Sequence, residues 1–144
     1  MRLSVLLATI VMMTGCAAPL QRYAPAIGDQ AALIKFYDKS ANTFALISES
    51  ERCEQGQEER KASTWKWVDV PAGRRLYVRH GSEGGGMAGS CSVRYSFVPE
   101  DGESYVSDFV YPGPLRCEIV FYKMGKNQVD ERVRVETFRR EKKC

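Results

Sequence analysis

Cys91-Ser92-Val93-Arg94-Tyr95-Ser96-Phe97 decides the fold class. Cys91, Val93, Tyr95 and Phe97 alternate with Ser92, Arg94 and Ser96, so an extended chain carries the two sets on opposite faces. A helix would instead need its apolar residues three and four positions apart. The segment therefore reads as a strand with one buried face.

The same reading extends in both directions. Pro99-Glu100-Asp101-Gly102 is a turn signal, residues 105–111 resume an apolar run, Pro112-Gly113-Pro114 breaks it, and residues 117–121 form another. Residues 132–137 alternate again and lead into a basic tail ending at Cys144. Towards the N-terminus, residues 32–37 and 44–47 read as strands, and residues 48–64 as a polar loop or short helix around Cys53. Residues 65–70 and 76–79 flank Pro71-Ala72-Gly73-Arg74 and read as a hairpin. Short strands punctuated by Gly and Pro, with no convincing helical stretch, predict an all-β domain: a small antiparallel β-sandwich, immunoglobulin- or transthyretin-like, or a partial barrel.

The N-terminus carries a different kind of signal. Arg2 precedes an apolar run over residues 5–13, then come Thr14, Gly15 and Cys16. This order reads as a secretory signal peptide, and the run is far shorter than the roughly 20 residues a membrane-crossing helix needs. Met13-Thr14-Gly15-Cys16 resembles the lipid-attachment motif of bacterial lipoproteins, with Met in place of the usual Leu. The expected organisation is a signal peptide over residues 1–15, a lipidated N-terminus and flexible tether over 16–28, and one β domain over 29–144. The tether holds two prolines and little periodic pattern; the alternative is that part of it packs along a sheet edge.

Taking residues 1–15 from the 144 leaves about 129, enough for one core. Removing Arg2 from the 21 basic residues leaves 20 against 18 acidic ones. So small an excess argues against nucleic acid as a partner. If Cys16 is acylated, Cys53, Cys91, Cys117 and Cys144 remain, an even number that reads as two disulfides in an oxidising compartment. Their spacing lacks the close pairs of a zinc site, the chain has a single histidine, and no motif calls for a metal or cofactor.

Cys91 is in phase with Phe97, and Cys117 with Ile119 and Phe121, so both thiols should point inward. In a simple three-strand meander they would lie two strand spacings apart, roughly 9–10 Å, beyond the reach of a disulfide. Pairing Cys91 with Cys117 is then disfavoured unless their strands belong to opposite sheets. Cys53–Cys91 with Cys117–Cys144 is the preferred connectivity, because it joins neighbours in chain order.

Other features carry bland readings more easily than functional ones. The glycine-rich stretch 81–89 lacks the lysine of a phosphate-binding loop and precedes a strand, so it reads as a flexible connection. His80 has no evident nucleophile or carboxylate partner and reads as solvent-facing or structural. The acids at 49, 51, 54, 58 and 59 are interleaved with Arg52, Arg60 and Lys61, a mixed-charge surface segment. Arg139, Arg140, Lys142 and Lys143 form a basic end, read as solvated rather than as a contact for anionic lipid or polysaccharide. Trp65 and Trp67 share a strand face; core or partial core is preferred over a carbohydrate-stacking platform. No catalytic residue stands out, and the chain is not expected to be an enzyme.

Residues 70–76 (VPAGRRL), Cys91, residues 95–105 (YSFVPEDGESY) and Cys117 resemble a pattern in small lipoproteins of Gram-negative bacteria. There a Pro-Ala-Gly turn precedes a strand, and an aromatic-x-Pro-x-x-Gly-x-x-Tyr hairpin sits between two cysteines. The resemblance implies a β-sandwich attached to a membrane and facing the periplasm. It carries over no catalytic residues. Ala17, rather than the Asp that retains many such proteins in the inner membrane, implies the outer membrane. The expected partners are the membrane, through the lipid, and an envelope protein. The expected role is a non-enzymatic binding or accessory module; an assembly factor adding strands to a partner sheet, or an inhibitor or enzyme acting on envelope polymers, are the alternatives.

Overall fold

In the computed structural model, residues 22–24, 30–38, 43–49, 60–83, 90–113, 116–124 and 132–142 are described. The strands are β1 (Ala31–Asp38), β2 (Thr43–Ser48), β3 (Arg60–Ala62), β4 (Trp67–Pro71), β5 (Leu76–Ser82), β6 (Cys91–Phe97), β7 (Ser104–Gly113), β8 (Arg116–Met124), β9 (Arg132–Arg134) and β10 (Arg139–Arg140). None of the described residues is helical. The short β3 falls in the stretch expected to be a loop or helix.

The strands form two sheets, in the orders β4-β1-β7-β8-β9 and β10-β6-β5-β2-β3. Period-two burial brings Ile34, Phe36, Val70, Tyr105, Phe109 and Ile119 from the first against Ala45, Ile47, Leu76, Val78, Tyr95 and Phe97 from the second. Burying a side chain of this size contributes roughly 1.5–3 kcal/mol. At the centre, the Phe121 ring lies 4.6 Å from Phe97 and 5.2 Å from both Tyr95 and Phe138. Gly81, opposite Ser92 in the β5–β6 ladder, is required by close approach: a Cβ there would stand 2.6 Å from Ser92 Cβ and 2.7 Å from the Cys91 carbonyl oxygen.

Three expectations change. β1 and β7 run parallel, although the other pairings are antiparallel. The Pro71–Arg74 turn does not close a hairpin: β4 pairs with β1, whereas β5 pairs with β2 and β6. Likewise β6 and β7, on either side of Pro99 and Gly102, belong to different sheets. Both turns are arches that carry the chain across the core. A turn residue reports that the chain reverses, but a period-two pattern is silent about which sheet receives the next strand.

The arches are built alike and braced together. Each contains a buried proline, Pro71 or Pro99, and a glycine with left-handed φ, 76° at Gly73 and 72° at Gly102. The Gly73 N–H donates to the Pro99 carbonyl at 2.8 Å, and the Gly102 N–H to the Ala31 carbonyl at 3.0 Å. The Tyr105 hydroxyl accepts the Glu100 N–H at 2.9 Å, tying the start of β7 to its own arch. Lys123 closes the outside with ion pairs to Glu100 at 3.1 Å and Glu103 at 3.7 Å. Tyr105→Phe keeps the ring in the core and removes one part-buried hydrogen bond, so it should cost about 1 kcal/mol in urea denaturation. A neutral result would show that water replaces the phenol without loss.

Candidate functional site

The lateral edge shared by β3 and β4 holds the most distinctive surface chemistry. These are the end strands of the two sheets, and residues 63–66 carry the chain between them. Arg22 forms a parallel bridge with Lys61, and the Tyr23 N–H donates to the Lys61 carbonyl at 3.1 Å. Residues 22–24, expected to belong to the tether, thus run along β3, the sheet-edge alternative.

Between this segment and β4 lies an open cleft of about 710 Å³, walled by Arg22, Tyr23, Lys61, Lys66, Trp67 and Asp69. The hydroxyls of Thr43, Ser63 and Thr64 also line it. Among the described residues three cations face a single carboxylate, which makes this lining electropositive. Among the described residues, Arg22, Lys61 and Lys66 make no ion pair that would neutralise them.

Trp65 and Trp67 depart from the core placement preferred from the sequence. They are 46% and 44% exposed. Val68 and Val70 fill the core side of β4, which leaves Trp67 on the outer side. Lys35, its register partner on β1, sets its ammonium 5.8 Å from the Trp67 ring centroid, a cation–π contact. Trp65 sits at φ 68°, a left-handed conformation that costs a bulky side chain on the order of 1–3 kcal/mol. It is held there by its N–H donating to the Phe36 carbonyl at 2.9 Å and by an edge-to-face contact with Tyr37 at 4.6 Å.

His80 occupies the opposite kind of place, fully buried between Phe36 and Phe109, each 5.3 Å away. The Tyr95 hydroxyl donates to Ser107 Oγ at 2.7 Å, and Ser107 Oγ lies 3.0 Å from His80 Nδ1. Ser107 Oγ thus links the two rings, accepting from Tyr95 and sharing a hydrogen with Nδ1 in the direction that the imidazole tautomer sets. Among the described residues, Nε2 has no hydrogen-bond partner. Burial depresses the His80 pKa to about 4 and pushes the Tyr95 phenol far above its usual range. The histidine does meet a hydroxyl, but inside the core rather than in a cleft: the chain of three joins the two sheets.

Cys91 and Cys117 form a disulfide with Cα atoms 6.3 Å apart. This replaces the preferred Cys53–Cys91 and Cys117–Cys144 connectivity. The reason is the arch at Pro99: it sends β6 and β8 to opposite sheets, the one arrangement in which the pairing is within reach. Both residues pack against the core, as their phase implied.

Arg139 and Arg140 form β10 along β6 with exposed side chains, and Ser96 Oγ bonds to Glu141 beneath them. Glu49 pairs with Arg74 at 3.4 Å on the surface. Among the described residues, no cluster of three or more His, Cys, Asp or Glu gathers in metal-binding proximity. Cys16, Cys53, Cys144, the signal segment, the other acids at 51–59 and the glycines at 84–89 lie outside the described residues.

Sequence reading missed the cleft because its walls come from parts of the chain that are far apart: residues 22–24, Thr43 and residues within 61–69. The one local trace was Trp65-Lys66-Trp67, an aromatic–basic–aromatic tripeptide whose alternation fits a strand. No protein-family model, curated protein or solved structure matches this chain.

Proposed function

We propose that this chain is a lipid-anchored, non-enzymatic binding module of the cell envelope: a β-sandwich of the immunoglobulin/transthyretin-like kind, held on the periplasmic face of the outer membrane by acylated Cys16. The observation that carries the reading is the place of the cleft. Its wall includes Arg22 and Tyr23, and only six peptide steps separate Cys16 from Arg22. Fully extended, that stretch reaches about 20 Å. A lipid on Cys16 would therefore hold the cleft close above the bilayer, facing whatever the membrane surface presents.

The anchor is tested by Cys16→Ser. Palmitate labelling should vanish and the protein should leave the membrane fraction; undiminished membrane retention would overturn the reading. Crosslinking in intact envelopes separates a binding module from an assembly factor. A stoichiometric protein partner captured through the β4 edge would favour assembly, since an open strand edge can extend a partner's sheet.

A further inference from the structure

We infer that the cleft between residues 22–24 and β4 binds an acidic saccharide, with Trp67 as the stacking surface and Arg22, Lys61 and Lys66 as the anion contacts. This rests on the reading of the chain as a binding module and names the class of its ligand.

Two observations converge on that chemistry. The first is charge: the cleft sets three cations against Asp69, with no ion pair among the described residues to quench them. An electropositive concavity raises the local concentration of anions and accelerates their capture. The second is the exposed indole. Trp67 is 44% exposed although it belongs to a strand, and its position is constrained by Lys35 from β1. A held aromatic ring presents apolar area at little entropic cost, suited to the C–H face of a pyranose. The hydroxyls of Thr43, Ser63 and Thr64 add neutral hydrogen-bonding groups of the kind a sugar's own hydroxyls need. An apolar protein segment would leave those cations and hydroxyls without partners. A nucleic acid strand would call for a longer basic track than these three residues provide.

The two tryptophans are the only ones in the chain, so indole fluorescence reports on this edge alone. Trp65→Phe leaves Trp67 as the sole indole and is the reference protein. The mature protein in non-ionic detergent would be titrated with polygalacturonate hexamer, with maltohexaose, with a deoxythymidine dodecamer and with phosphatidylglycerol added to the micelles. The acidic hexamer should shift Trp67 emission and protect it from acrylamide. Lys61→Glu/Lys66→Glu should weaken binding at least ten-fold, and Trp67→Ala, followed calorimetrically, about ten-fold. Raising the salt should weaken it further.

Equal response to maltohexaose would refute the charge assignment. A response to only the oligonucleotide or only the phosphatidylglycerol would replace the saccharide with that class. Silence in all four titrations would overturn the site. Thermal denaturation of each variant guards against misfolding: a loss of affinity that tracks a loss of stability counts against the proposal. Membrane release of Cys16→Ser is read separately, so a silent cleft on a membrane-bound protein sinks this inference and leaves the anchor standing.

Discussion

Replacing Cys91 and Cys117 together by alanine is expected to lower the unfolding free energy by about 3.5 kcal/mol, the chain-entropy value for a loop of this length. The cross-link spans 26 residues and joins β6 in one sheet to β8 in the other. Its loss frees the unfolded chain and also removes two sulfurs packed against the core. In thermal denaturation the change should appear as a fall in Tm of roughly 10 °C. A variant with the wild-type urea midpoint would show that the two sheets hold their register without the bond. Peptide mapping of unreduced protein provides the companion result. With Cys91 joined to Cys117, the two-disulfide reading leaves Cys53 for Cys144, and alkylation before reduction should then find no free thiol downstream of Cys16.

Acid should destabilise the domain through His80, well above the pH at which carboxylates alone would act. Folding lowers its pKa from 6.5 to about 4 because the charged ring cannot be hydrated in the core. Above pH 6.5 the ring is neutral in both folded and unfolded chains, and the stability it permits is fully present. As the pH falls from 6.5 to 4, the unfolded chain takes up a proton that the folded chain refuses. Stability then drops by up to about 1.4 kcal/mol per pH unit. Below pH 4 both states are protonated and the loss levels off near 3 kcal/mol.

Between pH 7 and pH 4.5 this one residue should remove about 2.5 kcal/mol. His80→Phe keeps a ring between Phe36 and Phe109 and should flatten that part of the profile. At neutral pH it should cost about 1 kcal/mol, because the His80–Ser107 hydrogen bond is lost while Ser107 still accepts from Tyr95. An unchanged pH profile in the variant would mean that His80 is hydrated in the folded state.

Much of the strand content was legible along the chain. Residues 91–97 alternate in sequence and form β6 over the same residues, and Ala32, Ile34 and Phe36 turn their buried faces inward as a period of two requires. The inward phase of Cys91 and Cys117 was legible for the same reason. Their partnership was not, since it depends on whether the residues after Phe97 fold back beside β6 or cross the core. Pro99 and Gly102 are compatible with both outcomes. The crossing is settled by what the arch meets, namely the Gly73 N–H on Pro99 and the Ala31 carbonyl on Gly102, groups far away in sequence.

The candidate site divides along the same line. Trp65 and Trp67 alternate as strand residues do, and large aromatics on a strand usually help fill the core. Their exposure follows from β4 being the last strand of its sheet, with the core side already occupied by Val68 and Val70. Arg22, Lys61 and Lys66 look like scattered surface charges until residues 22–24 lie along β3. His80 shows the converse: polar and beside a glycine-rich stretch, it nevertheless lies at the centre, because Ser107 from the facing sheet offers it a hydroxyl.

By itself, then, the sequence determined the all-β character, the inward phase of residues 91–97 and 117–121 and the places where the chain turns. Each of these depends on side-chain period and turn chemistry within a few residues. Only the tertiary structure decided the Cys91–Cys117 bond, the parallel β1–β7 pair, the buried Tyr95–Ser107–His80 chain and the cationic cleft beside Trp67. These depend on which sheet each strand joins, and that choice is made by packing and hydrogen bonds between residues distant along the chain.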